Sequence, residues 1–244
     1  MHITVVLPTY NEAENIVEIV SRVKRAVPQA RILIIDDDSP DGTGKIAEGL
    51  VEQFAGVDVL HRSAKDGLGS AYRFGFAHLF AHCESSVESV VVTMDADLSH
   101  DPAVIPAMLA TIEGGADAVI GSRYVTGGGT FNWPFHRRLL SKWGNRYTSA
   151  ILGLHVGDCT SGFRMYRSRV LESIHPETTT AEGYAFLTEL IVRLAGQRAR
   201  IAEVPITFVD RSAGKSKMSA RIIIESMTLV TRWGLLRGRR RHSR

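Results

Sequence analysis

The chain has 244 residues, 44% of them hydrophobic and 23% charged, enough for one large domain around a sizeable core. Its formal charge of +3 (29 basic against 26 acidic residues) is too small to imply nucleic acid, and the basic excess lies at the C-terminus. Two cysteines make no disulfide framework, and no stretch reaches the roughly 20 apolar residues that a membrane span needs.

His2-Ile3-Thr4-Val5-Val6-Leu7-Pro8 predicts a first strand, stopped by Pro8. It begins at once, without the basic region, apolar stretch and cleavage site of a secretory signal. With so little cysteine, this predicts a reduced, cytoplasmic setting. A helix is expected from Asn11 or Glu12 to about Ala26, with Ile16, Val17, Ile19, Val20 and Val23 on one side. Ile32 to Ile35 reads as a second strand, running into Asp36-Asp37-Asp38-Ser39-Pro40-Asp41-Gly42-Thr43. Asp41 can cap a helix to about Phe54. Val57 to Leu60 is a third strand. Lys65-Asp66-Gly67-Leu68-Gly69-Ser70-Ala71 resembles a phosphate-cradling loop but lacks its third glycine. It is read as the start of a helix from Gly67 to His82, near a nucleotide.

The run Val90-Val91-Val92-Thr93-Met94-Asp95-Ala96-Asp97 has the unbroken β-branched character of a strand covered on both faces. If the strand continues through Asp97, then Asp95 and Asp97 share one side of its carboxyl end. Open α/β sheets bind ligands at that end. Two carboxylates there repel each other unless a cation sits near them. Mg²⁺ or Mn²⁺ suits the pair, as a hard ion that takes carboxylates together with substrate phosphates. Taken alone, such a pair reads more often as a helix cap at Asp97 beside a solvated turn residue at Asp95; the other motifs of this chain turn the reading to a metal site.

Pro102 opens a helix through Ile112, and Ala116 to Gly121 is another strand. Strand and helix thus alternate through the first half, which predicts a parallel sheet with helices on both faces. In the second half, Gly127-Gly128-Gly129 with Phe131, Trp133 and Pro134 reads as a flexible loop. A helix is expected from about Phe135 to Leu152, a strand from Gly162 to Tyr166 and a helix from about Tyr184 to Ala195. A strand from Arg200 to Val209 contains Pro205, which argues for an edge position or an irregularity in it. The fold class is therefore α/β, a single domain over residues 1–218 with a mostly parallel, Rossmann-like sheet.

Acids recur where strands end: Asp36 to Asp38 after the second, Asp95 and Asp97 after the fourth. Pro8, Tyr10 and Glu12 follow the first. In a parallel sheet these ends line one rim, suited to a nucleoside diphosphate. Cations come from the other half: Arg123, then Arg137 and Arg138, then Arg211, Lys215 and Lys217. Arginine binds phosphate oxygens bidentately and lysine acts as a point charge. Histidines show no ligand spacing, and no histidine metal site is expected. Residues 219–244 are read as a separate amphipathic helix, with Ile223, Met227, Val230 and Trp233 at helical spacing, followed by Arg237, Arg239, Arg240, Arg241 and Arg244. Such a segment can lie on an anionic membrane surface. It can equally be a packed final helix with a basic tail.

Leu7-Pro8-Thr9-Tyr10-Asn11-Glu12, Asp36 to Thr43, Asp95-Ala96-Asp97-Leu98-Ser99-His100, Gly121-Ser122-Arg123-Tyr124, Ser161-Gly162-Phe163-Arg164 and Gly214-Lys215-Ser216-Lys217 appear in that order. Up to about Met218 the chain resembles the dolichol-phosphate (polyprenol-phosphate) mannosyltransferase group of glycosyltransferase family 2. The resemblance implies a nucleotide-diphospho-sugar transferase fold and a metal-dependent, inverting transfer of mannose from GDP-mannose to polyprenyl phosphate. It implies that Pro8, Tyr10, Glu12, Ile35 and Asp37 hold the nucleoside, and that Asp95, Ala96 and Asp97 hold the diphosphate and metal. Asp97 is then the direct ligand, with Asp95 in support, and Ser99 stands where some members carry a glutamine that helps bind metal. Arg123, Arg211 and Lys217 match donor or acceptor phosphate contacts, and Arg137 an acceptor-phosphate arginine. With no span of its own, such an enzyme would reach its lipid as a peripheral membrane protein, through its tail or through a separate membrane protein. A UDP-sugar donor, or a non-catalytic nucleotide-binding module at the membrane, are the readings it must be tested against.

Overall fold

The structure, a computed structural model, describes residues 1–82, 88–210 and 227–235. The chain runs β1 (His2–Thr9), α1 (Ile16–Ala26), β2 (Arg31–Asp36), α2 (Thr43–Gln53), β3 (Val57–His61), α3 (Leu68–His82) and β4 (Ser89–Thr93). It continues α4 (Ile105–Glu113), β5 (Ala118–Ser122), β6 (Gly129–Phe131), α5 (Phe135–Leu152), β7 (Arg164–Arg167), α6 (Ser168–Ser173), α7 (Gly183–Gly196), β8 (Ile201–Pro205) and β9 (Thr207–Val209).

Seven strands form one sheet in the order β3-β2-β1-β4-β7-β5-β8, and a smaller sheet pairs β6 with β9. Every pairing is parallel except those of β7, which runs antiparallel between β4 and β5. The β-branched runs explain the layers. Alternate residues of one strand meet opposite faces. Val5, Leu7, Ile32, Ile34, Val90 and Val92 pack with Ile16, Ile19, Val20 and Val23 of α1 and Met108 of α4. Val6, Ile35 and Val91 pack on the other face with Tyr72 and Phe76 of α3 and Phe186 and Leu190 of α7. A Cβ at Gly75 would collide with Ile35, so glycine is what lets α3 lie this close to the sheet.

The structure corrects several expectations. Helix α1 starts at Ile16, because Asn11 has a left-handed φ of 59° and residues 11–15 turn instead. Strand β4 stops at Thr93, so Asp95 and Asp97 lie on a loop and not along one side of a strand. The glycine loop at 127–129 leads into β6. The expected strand from Arg200 to Val209 is two strands: Ile206 donates its N–H to Ser122 O, and the chain then leaves to pair with β6. Pro205 ends β8, the edge strand, as its missing N–H requires.

Residues 227–235 are helical, and Val230 and Trp233 pack with Leu152, Leu154, Val156 and Ile191. Tyr147 Oη and Thr231 Oγ1 share a hydrogen bond of 2.8 Å. Over this stretch the apolar side of the expected membrane-facing helix covers the domain itself. Ile222, Ile223, Leu236 and the arginines from 237 to 244 lie outside the described residues. None of the described helices is long and apolar enough to cross a membrane.

Candidate active site

The carboxyl ends of β1 and β2 form the first wall. The three consecutive aspartates there do different work. Asp36 is buried and accepts from Thr9 Oγ1 at 3.1 Å and from Ser39 Oγ at 2.6 Å, which braces the turn after β2. Asp38 is exposed, with φ 54°. Asp37 is buried and takes Arg62 Nη1 at 2.7 Å, while Arg62 Nη2 donates to Ser70 Oγ at 2.6 Å. Burial pushes the Asp37 carboxyl above its ordinary range, against the opposing pull of Arg62. Tyr10 carries the Lys65 ammonium 3.7 Å from its ring centroid. Glu12 Oε2 accepts from Asn15, and its backbone N–H donates to Thr43 Oγ1. Pro8 is half-buried on the same rim. Ile35 belongs to the core by its side chain, so only its backbone can reach a nucleoside.

The glycine loop at the start of α3 already holds an anion of its own. Glu182 Oε2 accepts from Ser70 N at 3.2 Å, and Arg73 pairs with the same carboxylate. A Cβ at Gly67 or Gly69 would press on Glu182. A helix N-terminus favours a carboxylate as it favours a phosphate, and here the chain supplies the carboxylate.

The loop after β4 forms the second wall. Asp97 is buried, and its Oδ1 accepts from Ser99 N at 3.1 Å and Ser99 Oγ at 2.6 Å. Leu98 between them adopts φ 63°, which folds the loop back on itself. Asp95 is partly exposed and lies against Gly162, where a Cβ would stand 3.4 Å from Oδ1. Its N–H donates to His100 Nδ1 at 3.3 Å. Ala96 is packed in the core.

His100 turns this wall toward the cations. Its ring lies 5.3 Å from Phe163 and 5.4 Å from Phe208. Phe208 in turn meets Trp133 at 5.4 Å and the Arg123 guanidinium carbon at 5.5 Å. Arg137 stacks 4.1 Å over Trp133 and donates to Asp210 Oδ2 at 2.9 Å. Strand β9 is tied to the acidic loop by Val209 N, which donates to Ser99 O. Acidic loop, aromatic side chains and arginines are therefore joined in one chain of contacts. Arg211, Lys215 and Lys217 follow β9 directly but lie outside the described residues.

Residues 4–174 match the family described as Glycosyl transferase family 2. The chain belongs to glycosyltransferase family 2.

Relatives of this glycosyltransferase include the polyprenol monophosphomannose synthase of Mycolicibacterium smegmatis, 46% identical over 96% of this chain and 87% of that protein. The undecaprenyl-phosphate mannosyltransferase of Micrococcus luteus is 44% identical over 96% of this chain and 95% of its own length. The dolichol-phosphate mannosyltransferase of Pyrococcus furiosus is 37% identical over 95% of this chain but 63% of its own. Among solved structures, glucosyl-3-phosphoglycerate synthase of Mycobacterium tuberculosis with UDP superposes with a TM-score of 0.66 at 20% identity, covering 94% of this chain and 80% of that one. That likeness shows the fold, an α/β nucleotide-sugar transferase architecture.

The glycosyltransferase also has features that the sequence hid. Arg123 is buried and bound by Asp158, through Nε to Oδ2 and Nη2 to Oδ1, both at 2.7 Å. Burial alone would raise the Asp158 carboxyl, but the charge and hydrogen bonds of Arg123 hold it below its ordinary range. Arg62, Glu182, Phe208 and Asp158 had no motif of their own to announce them. Asp158 lay only three positions before the Ser161-Gly162-Phe163-Arg164 signature. Arg164 is fully buried and structural, donating to the carbonyls of Ser161, Cys159 and Leu187.

Helix α5 carries an exposed apolar ridge. Phe135, Leu139 and Trp143 recur every fourth residue and are 76%, 59% and 52% exposed. Arg138, Lys142 and Arg146 run beside them, and the helix contains no Asp or Glu.

The donors near Asp97 are hard oxygens: two carboxylates and the Ser99 hydroxyl. They suit a divalent ion of the Mg²⁺ or Mn²⁺ type. No cluster of three or more His, Cys, Asp or Glu side chains that could hold a metal occurs among the described residues.

Proposed function

We propose that this enzyme transfers mannose from GDP-mannose to the phosphate of a polyprenyl lipid, with inversion at the anomeric carbon, at an anionic membrane surface. Mannose and polyprenyl phosphate follow from the names of relatives 46% and 44% identical over nearly the whole chain. The observation that carries the mechanism is the continuity of the site. His100 and Phe208 bridge the acidic loop to Arg123 and Arg137. A donor diphosphate and an acceptor phosphate are both anions, and transfer requires them side by side.

Pro8, Tyr10, Glu12 and Asp37 are assigned to the nucleoside, with Arg62 fixing the orientation of Asp37. Asp97 and Asp95, with Ser99 orienting Asp97, would hold a divalent ion, which when bound offsets charge on the departing diphosphate. The acceptor oxygen needs no dedicated base, because a phosphate monoester with a second pKa near ~6 is largely ionised at neutral pH. Arg123 and Arg137, with Arg211 and Lys217 that follow β9 in sequence, are assigned to holding the two phosphates together for in-line attack. Their charge offsets the repulsion between the anions, and the aromatic wall keeps bulk water from part of their surface.

Helix α5 is assigned to the membrane. An apolar ridge flanked by basic residues is the form an interfacial helix takes, with each basic residue near an anionic surface contributing about 1 kcal/mol. Arg137 lies on the same helix, on the side that meets Trp133 and Asp210, so seating the helix would bring the lipid phosphate near the cationic side of the site.

The test mixes purified protein, Mg²⁺ and a short polyprenyl phosphate with labelled GDP-mannose or labelled UDP-glucose, then extracts the lipid. Label from GDP-mannose alone is expected. Label from UDP-glucose would overturn the donor, and nucleotide binding without product from either would reduce the protein to a binding module.

A further inference from the structure

Arg123 is surrounded by more structure than an ordinary phosphate contact needs. Asp158, fully buried, accepts from Arg123 N at 3.1 Å, Nε at 2.7 Å and Nη2 at 2.7 Å, and from the N–H groups of Thr160 and Ser161 at 3.3 and 3.1 Å. Thr160 Oγ1 accepts a second bond from Arg123 Nη2 at 2.8 Å. The loop that carries these groups is held from two sides. From β8, the Glu203 carboxylate accepts the N–H groups of Gly157 and Asp158 at 2.7 and 3.0 Å. From α5, buried Asn145 accepts Cys159 N on Oδ1 at 2.7 Å and donates through Nδ2 to Thr160 Oγ1 at 3.2 Å. The same loop ends at Gly162, whose carbonyl takes Thr93 Oγ1 at 2.8 Å and whose Cα lies beside Asp95.

We propose that Asp158 and Thr160 are positioning residues for the transfer, fixing the Arg123 guanidinium before substrate arrives, and that Asn145 ties this clamp to α5. The proposal rests on the assignment of Arg123 to a substrate phosphate. An arginine side chain loses rotamer entropy when it is immobilised. A clamp made at folding removes that loss from the reaction, and pre-set geometry is worth most where two anions must be forced together. The clamp, as proposed, acts on substrate only through Arg123. Its effect should therefore pass through Arg123 and appear in turnover more than in donor binding.

Asp158→Asn removes charge from a buried pair and endangers the fold, so Thr160→Val carries the test. It keeps the shape of threonine and removes the hydroxyl that receives Arg123 and Asn145. Transfer kinetics, thermal melting and a double-mutant cycle with Arg123→Lys are measured together. Thr160→Val is expected to lower kcat on the order of tenfold with KM for the donor changed less than about twofold. Thr160→Ser, which keeps the hydroxyl, is expected to restore kcat to within about twofold of wild type. In the Arg123→Lys background, Thr160→Val should cost almost nothing further, because the group it positions is gone. A Thr160→Val enzyme with wild-type kcat, or a loss that multiplies in full with that of Arg123→Lys, overturns the clamp. A wild-type rate for Arg123→Lys alone overturns the phosphate assignment beneath it, and the clamp with it. The two failures are thus told apart by the single variant.

Discussion

Asp97 receives both donors of Ser99, the backbone N–H and the hydroxyl, on the one oxygen Oδ1, at 3.1 and 2.6 Å. The serine therefore orients the carboxylate in addition to offering an oxygen of its own. Such orienting partners typically change metal affinity by about 10- to 100-fold when removed. Asp97→Ala is expected to lower mannosyl transfer by at least about a thousandfold, the scale of losing charge stabilisation at a leaving group. The melting temperature should move by only a few degrees, since the bonds of Asp97 to Ser99 are local to the loop. Ser99→Ala should keep a measurable rate but need more Mn²⁺ or Mg²⁺ for half-maximal activity. Near-normal transfer by Asp97→Ala would remove the acidic loop from the reaction.

The parts of this site that were legible in the sequence are those written in consecutive residues. Unbroken β-branched runs gave β1, β2 and β4, because a strand buried on both faces has no polar alternation to confuse with a helix. The Asp95 and Asp97 pair stood out for the same reason, as charge directly after an apolar run. The reading went astray where it extended that strand through Asp97, since the left-handed Leu98 is not encoded in any obvious residue. Asp158 is 35 positions from Arg123, and Glu182 is 112 from Ser70. Neither separation leaves a local pattern. β6 and β9 are three residues each and exist only because they pair with one another. The apolar ridge of α5 was visible as hydrophobic residues, but periodicity alone does not say whether a face meets protein or something else.

Asp37 is the group whose own chemistry bears on donor binding. Burial raises its carboxyl, and Arg62 at 2.7 Å opposes that rise and aims it. An amide in its place would keep the shape and lose the charged acceptor. Asp37→Asn is expected to raise the donor KM about tenfold or more while kcat stays within about threefold, the pattern of lost uniform binding. The raised value also sets a sign. Between the ordinary value of 3.8 and its higher folded value, Asp37 favours the folded state in protonated form, and that contribution fades as pH rises through the folded value. Donor binding should therefore weaken as pH falls through the same window, read by calorimetric titration of GDP-mannose.

Membrane attachment should be separable from chemistry. Leu139→Asp with Trp143→Asp places acids on the exposed ridge of α5, away from Asn145, Thr148 and Leu152 on its buried side. The doubly substituted enzyme is expected to lose co-sedimentation with vesicles containing anionic lipid while its melting temperature changes little. Wild-type binding should weaken with added salt, as screening shortens the reach of Arg138, Lys142 and Arg146. Transfer to a short, water-dispersed polyprenyl phosphate should survive better than transfer to lipid in vesicles. Unchanged vesicle binding would move the membrane contact to the C-terminal arginines.

Asp158 supplies an acid-range prediction whose sign is opposite to that of Asp37. Its folded value lies below the ordinary 3.8, because the charge and hydrogen bonds of Arg123 outweigh burial. Its stabilisation is then complete above 3.8 and is lost as pH falls through the folded value. Asp158→Asn leaves Arg123 buried with a neutral partner, and breaking a buried pair from one side typically costs about 3–5 kcal/mol. Urea unfolding at neutral pH should show a loss of that order. The gap between wild type and variant should then narrow below pH 3.8, since the wild-type carboxyl loses its own charge there. A gap that stays constant through the acid range would mean that the variant acts through packing around Asp158, and that its charge does little to hold Arg123.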